Sequence, residues 1–217
     1  DDTNNMVKTE TREFGAGGCS GCGESAGQLT SVTQHVDEDA SNDRETQHLY
    51  DWRGRRVYTF TPDGTYTMFH YDNLDRVTQT QRYADADSDG PGSDASEADS
   101  DDILIAQAET DYDERGRVHQ TRTHSVKPNY SSGSLIGSTV DDYLGEGGDY
   151  LESNIWYDAA GNVVKEQPLG ANHFVKTQYD AVSRPIKRFT CFDADETNYD
   201  EALTVTGDTV FEQTETT

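Results

Sequence analysis

Apolar and polar residues alternate along much of this chain, and the alternation is interrupted at regular places. Val57-Tyr-Thr-Phe-Thr and Tyr66-Thr-Met-Phe-His-Tyr place every second side chain on one face and are rich in β-branched and aromatic residues, the pattern of half-buried strands. Between such runs stand short segments of one template: Tyr50-Asp-Trp-Arg-Gly-Arg-Arg, Tyr71-Asp-Asn-Leu-Asp-Arg-Val, Tyr112-Asp-Glu-Arg-Gly-Arg-Val, Tyr157-Asp-Ala-Ala-Gly-Asn-Val and Tyr179-Asp-Ala-Val-Ser-Arg-Pro. The early Asp can accept backbone N–H groups, and Gly, Asp, Ser or Asn at the fifth or sixth place tolerate turn geometry and positive φ. Each unit therefore predicts strand, tight turn, strand.

Successive template tyrosines are 21, 41, 45 and 22 residues apart, so the unit is about 21 or 22 residues long and two intervals are roughly doubled by insertions. A longer period is superimposed. Tyr50 to Tyr157 is 107 residues, Tyr71 to Tyr179 and Asp85 to Asp193 are 108, and Gln107 to Gln213 is 106. The expected organisation is one continuous array over residues 1–217, in approximate blocks 1–111 and 112–217, with insertions near 84–102, 125–150 and 193–208. Residues 13–47 fit the template least well. Asp1-Asp-Thr-Asn-Asn-Met follows the template without its Tyr, and Gln213-Thr-Glu-Thr-Thr ends where the next Tyr would fall, which reads as an in-register segment of a longer array.

The template pairs Tyr50-Asp51, Tyr71-Asp72, Tyr112-Asp113, Tyr157-Asp158 and Tyr179-Asp180 resemble the tyrosine-aspartate (YD) repeats of the Rhs, teneurin and bacterial toxin-complex family. That resemblance implies an all-β fold of tandem antiparallel hairpins coiled into a tubular, solenoid-like β-spiral shell. Asp75 and Ser183 replace the family's usual Gly, and Asn162 its usual Arg, all turn-compatible departures. The resemblance further implies a structural role in a large secreted or cell-surface protein, as the wall of a fibre, sheath or shaft. An Rhs-type shell around a C-terminal toxin is the alternative, and a glycan-binding adhesin module the third. The partners implied are neighbouring repeats of the same or identical chains, an encapsulated toxin, or surface glycans. The self-cleavage segment of Rhs proteins, Asp-Pro-x-Gly, has no counterpart here.

Charge narrows the partners. The 217 residues carry 42 acidic and 17 basic side chains, a net charge of -25, which disfavours nucleic acid because phosphate contacts need clustered Lys and Arg. No apolar run approaches the roughly 20 residues of a membrane span. Low hydrophobic content and high charge would suggest disorder, but 12 Tyr, 7 Phe and 2 Trp provide large apolar surfaces for packing.

Asp85-Ala-Asp87-Ser-Asp89-Gly90 has the alternating carboxylates and turn glycine of a calcium loop. Ser96 stands where an EF-hand needs its closing Glu, so a simple loop within an insertion is the calcium reading, and a solvated acidic linker its alternative. Asp193-Ala-Asp195 repeats the pattern without the glycine. Cys19 and Cys22 read as a local disulfide or part of a close-packed glycine-rich turn; half a zinc site completed by Cys191 with His35 or His48 is the weaker reading. The five template tyrosines could stack on sugars, but a regular ladder in a sheet favours core packing. No nucleophile, phosphate or dinucleotide motif is present, so no catalytic activity and no cofactor other than calcium is expected.

Overall fold

A computed structural model describes residues 9–15, 27–37, 39–85, 98, 102–131, 134–140, 149–193 and 199–215. The fold is all-β, a 15-stranded antiparallel hairpin ladder, and the chain divides into two compact units.

The first unit comprises residues 1–107 and 126–141. Its strands are β1 (Glu10–Phe14), β2 (Leu29–Gln34), β3 (Arg44–Tyr50), β4 (Arg56–Thr61), β5 (Thr65–Tyr71), β6 (Val77–Ala84) and the beginning of β7 (Ile103–Tyr112). Each lies beside the next in antiparallel order, as the hairpin pattern predicts. The insertion after residue 125 adds a further hairpin, β9 (Val126–Ser131) and β10 (Ser134–Val140), which touches β7 through one parallel pair, Ser138 with Ile103. The core is aromatic. Tyr58, Tyr66 and Met68 are buried, with Val57, Phe60, Tyr83 and Ala98 packed against them.

The second unit, residues 108–125 and 142–217, holds the rest of β7, then β8 (Val118–His124), β11 (Tyr150–Tyr157), β12 (Val163–Gln167), β13 (Phe174–Tyr179), β14 (Pro185–Phe192) and β15 (Thr209–Glu215). These strands too follow one another antiparallel. Phe174, Phe189 and Cys191 form the core, with Val205 against them. The helix α1 (Tyr199–Ala202) lies within the last insertion, and buried Ala202 ties it down.

Every template segment connects strands at one edge of the ladder. The other edge carries Pro62-Asp63-Gly64, Pro168-Leu169-Gly170 and all three predicted insertions. Among the described residues no helix is long and apolar enough to cross a membrane.

Candidate functional site

The template aspartate organises each turn through three of its groups. Its N–H donates to the carbonyl four residues on at 2.8–3.0 Å, and its own carbonyl accepts the N–H of the residue three on at 2.9–3.2 Å. The residue that closes this tight turn has a left-handed backbone: Gly54, Asp75, Gly116, Gly161 and Ser183 have φ of 79°, 63°, 81°, 97° and 61°. This is a type I turn followed by a bulge, and strand register shifts at Tyr50, Tyr71, Tyr157 and Tyr179.

The carboxylate completes the turn. One oxygen accepts backbone N–H groups of the following residues, Arg53 and Arg55 on Asp51 and their equivalents elsewhere, at 2.8–3.0 Å. The second oxygen accepts Nε and Nη2 of the template arginine at 2.6–2.7 Å in the pairs Asp51–Arg55, Asp72–Arg76, Asp113–Arg117 and Asp180–Arg184. Asn162 replaces this arginine with one bond to Asp158 of 2.8 Å. Burial works against the charge of Asp51, Asp72 and Asp158, and the donors outweigh it; at Asp113 and Asp180 the backbone amides dominate. All five carboxyls are held below the ordinary aspartate range. Carboxylates so committed hold shape and have no lone pair free for proton transfer.

The tyrosines join one hairpin to the one before. Tyr71 donates to Arg56 O at 2.7 Å, and Tyr157 and Tyr179 donate to Val118 O and Val163 O at 2.9 Å. Each acceptor lies six residues after the previous template tyrosine, at the start of its return strand. The arginines run in the same direction: the Arg55 guanidinium lies 4.7 Å over the Tyr71 ring and donates to Asp72 O, and Arg117 lies 4.0 Å over Tyr157. These tyrosines are therefore half-buried pins at the turn edge, with the aromatic core supplied instead by Tyr58, Tyr66 and Phe174. A half-buried phenol keeps its hydroxyl bonded, and the only acceptors at hand are the main-chain carbonyls of the neighbouring hairpin.

One further turn lies hidden in residues 13–47. Gly15 N–H donates to Gln28 O and Gly27 N–H donates to Gly15 O, both at 2.9 Å, the same two bonds that close the other turns. Gly27 has φ 74°, the register shifts at Phe14, and Tyr50 donates to Leu29 O at 2.8 Å. Phe14-Gly15 thus stands for Tyr-Asp and Gly27-Gln28-Leu29 for Gly-Arg-Val, with residues 16–26 inserted inside the turn. Gln28 Nε2 reaches Gly54 O at 2.8 Å, as the arginines reach forward elsewhere. The Gly-Gln-Leu ending was the available signal.

A second structural site secures two insertions. Asp102 and Asp208 each precede a strand, 106 residues apart like Gln107 and Gln213. Asp102 is buried and accepts the Tyr66 hydroxyl. The Asp208 carboxylate lies 2.8 Å from Lys176 Nζ, both side chains almost fully enclosed. Lys176 also donates to Glu201 O at 2.8 Å and Thr204 O at 2.6 Å, which fastens α1 to the core.

The predicted ligand residues are not brought together among the described residues. Asp85 lies at the end of β6, its N–H on Gly64 O at 3.0 Å, and the Asp193 carboxylate lies against Gly207. Asp87, Asp89, Asp195, Cys19 and Cys22 lie outside the described residues. Cys191 is wholly buried beside Phe174 and Phe189, and both ring nitrogens of His35 are engaged, by Asp43 and Thr11 at 2.7 Å each. His48 Nδ1 is 3.2 Å from Thr59 Oγ1. No cluster of three His, Cys, Asp or Glu side chains suited to a metal occurs among the described residues.

Ladder and turns together define an antiparallel β-hairpin repeat. No known protein family and no curated protein matches the sequence. Solved structures similar to it include the crystal structures of TcdB2-TccC3-TEV (16% identity, 86% of this chain and 9% of that chain, TM-score 0.39) and TcdB2-TccC3-Cdc42 (12%, 79%, 9% and 0.38). Another is a Photorhabdus luminescens Tc holotoxin pore with a TccC3 mutation (12%, 84%, 10% and 0.35). The chain thus spans about a tenth of the Tc toxin components it resembles, and TM-scores below 0.5 leave the fold to rest on its own hydrogen bonds.

Proposed function

We propose that this chain is a non-catalytic structural segment of a large secreted or cell-surface YD-repeat protein, forming the wall of a fibre, sheath or shaft. The observation that carries this reading is the turn-edge stitching, in which tyrosine hydroxyls and arginine side chains of successive turns bond from one hairpin to its neighbour. Such bonds make each repeat depend on the next, as a wall requires. The template aspartates, the most regular acids in the chain, are spent on their own turns, which supports a mechanical role over an acid–base one. Bound calcium in the acidic insertions belongs to the same reading, as a neutraliser of clustered carboxylates.

Negative-stain imaging of the native assembly tests it. Elongated particles of constant width support the wall of a fibre or shaft; closed hollow particles with enclosed density would replace it with the toxin-shell reading. Isolated globular particles with hydrolytic or transfer activity would overturn both. Calcium is tested separately, by melting the chain with and without a chelator: an unchanged Tm removes the ion from the account.

A further inference from the structure

A small recess opens where β8 ends and β11 begins. It has a volume of about 250 Å³ and is lined by Thr123, His124, Ser125, Asp149, Tyr150 and Leu151. The roughly 300–1,000 Å³ of sites for drug-sized ligands is larger, so there is room for one ring. Two kinds of surface meet in it. Tyr150 and Leu151 are 43% and 54% exposed, an apolar wall turned to solvent. The His124 side chain, 4% exposed, is directly opposite Tyr150 in the sheet, with ring centroids 5.4 Å apart.

The imidazole is the unusual feature. His124 Nε2 is 3.2 Å from Glu109 Oε1, which places the ring proton on Nε2 and leaves Nδ1 an acceptor. Nδ1 is buried and has no hydrogen-bond partner. A buried acceptor left unmade costs about 1–3 kcal/mol, so a site that keeps one is suited to a donor from outside. The charges around it are already balanced in part: Arg122 pairs with Glu109 at 3.2 Å and Asp111 at 2.7 Å, approaches Glu152 at 3.7 Å and lies 5.7 Å over the Tyr150 ring. Burial works against the charge of Glu109, but His124 and Arg122 hold its carboxyl below the ordinary range, so it stays an acceptor. Arg122 thus already supplies the cation that the ring and these carboxylates would otherwise attract.

The remaining demand is for a neutral ring with an apolar face and outward hydroxyl donors. We propose that this recess binds one pyranose ring of a glycan, stacked on Tyr150, with a hydroxyl donating to His124 Nδ1 and another to Asp149. The site is independent of the wall reading, since β8 and β11 keep their pairing whether or not the recess is filled.

The test is a two-dimensional amide NMR titration of the full chain with methyl glycosides of galactose, glucose, mannose and N-acetylglucosamine. At least one glycoside is expected to give saturable shifts at residues 123–125 and 149–151 and to move the ring signals of His124. Tyr150→Ala should weaken that binding about tenfold while Tyr150→Phe keeps it, with the Tm of both variants measured alongside. The His124 ring signals of the unmodified chain decide the matter if Tyr150→Ala does not fold. Silence of these signals with every glycoside overturns the proposal. So do shifts that survive Tyr150→Ala, and so does a response to methylammonium alone.

Discussion

The fifth place of each template carries the conformational burden of the turn. A left-handed backbone costs an L-residue about 1–2 kcal/mol, and glycine meets it freely at Gly54, Gly116 and Gly161. Asp75 and Ser183 accept the strain and use their side chains. Asp75 takes Arg55 Nη1 at 3.0 Å and Arg53 at 3.1 Å from the preceding turn, and Ser183 Oγ takes Asn162 Nδ2 at 3.2 Å. Gly161→Ala, whose new methyl meets nothing nearer than 3.6 Å, should therefore cost about 1–2 kcal/mol in denaturant unfolding through backbone strain alone. Asp75→Gly should be nearly neutral, because relief of strain offsets ion pairs that are half-exposed and weak. The aspartates set a pH dependence. Their folded pKa values are depressed, so their stabilisation is complete above the unfolded value of 3.8 and is lost as pH falls through the lower folded values. The difference in Tm between the unmodified chain and Asp113→Asn should be constant from neutral pH down to about 5 and shrink below about 4.

At the scale of the hairpin, stability comes from bonds that cross between neighbours. Tyr179→Phe removes the bond to Val163 O and leaves the ring in place, so it should cost about 1 kcal/mol by chemical denaturation. The hairpins themselves were legible: period-2 alternation located the strands, and Tyr-Asp with Gly, Asp or Ser located the turns. The turn at Phe14-Gly15 was not, because both signature residues are replaced and 11 residues separate the halves of the motif. Its geometry survives because it depends on backbone N–H and C=O groups, which every residue but proline supplies. The pinning by tyrosine was also invisible, since a sequence places the ring on a strand but does not reveal which carbonyl its hydroxyl will meet. The recess at His124 was hidden for a similar reason: Glu109, His124 and Tyr150 come from three strands, and no local spacing links them.

Across the whole chain the longer period explains how two cores solve one problem differently. Tyr66 and Met68 correspond to Phe174 and Lys176, while Asp102 and Asp208 hold the same place. A buried carboxylate needs a donor; the first block supplies it from a tyrosine and the second from a lysine two residues along the strand. Lys176→Met should cost about 3–5 kcal/mol, because it strands the Asp208 carboxylate. Adding Phe174→Tyr, which recreates the first block's arrangement, should recover much of that loss, and a double-mutant cycle will read the coupling. The 106-residue spacing of the two aspartates could be counted in the sequence, but their burial could not, because both stand at the ends of acidic insertions that read as solvated.

The central claim is that neighbouring hairpins are welded at the turn edge into one continuous wall. Residue-resolved hydrogen exchange on the full chain, with and without Tyr157→Phe, tests this most directly. The amides of Asp51, Asp72, Asp113, Asp158 and Asp180 should exchange as slowly as strand interiors, and Tyr157→Phe should speed exchange around Val118 in the preceding hairpin as well as in its own. Turn amides that exchange at loop rates, or a Tyr157→Phe effect confined to β11 and β12, would contradict it.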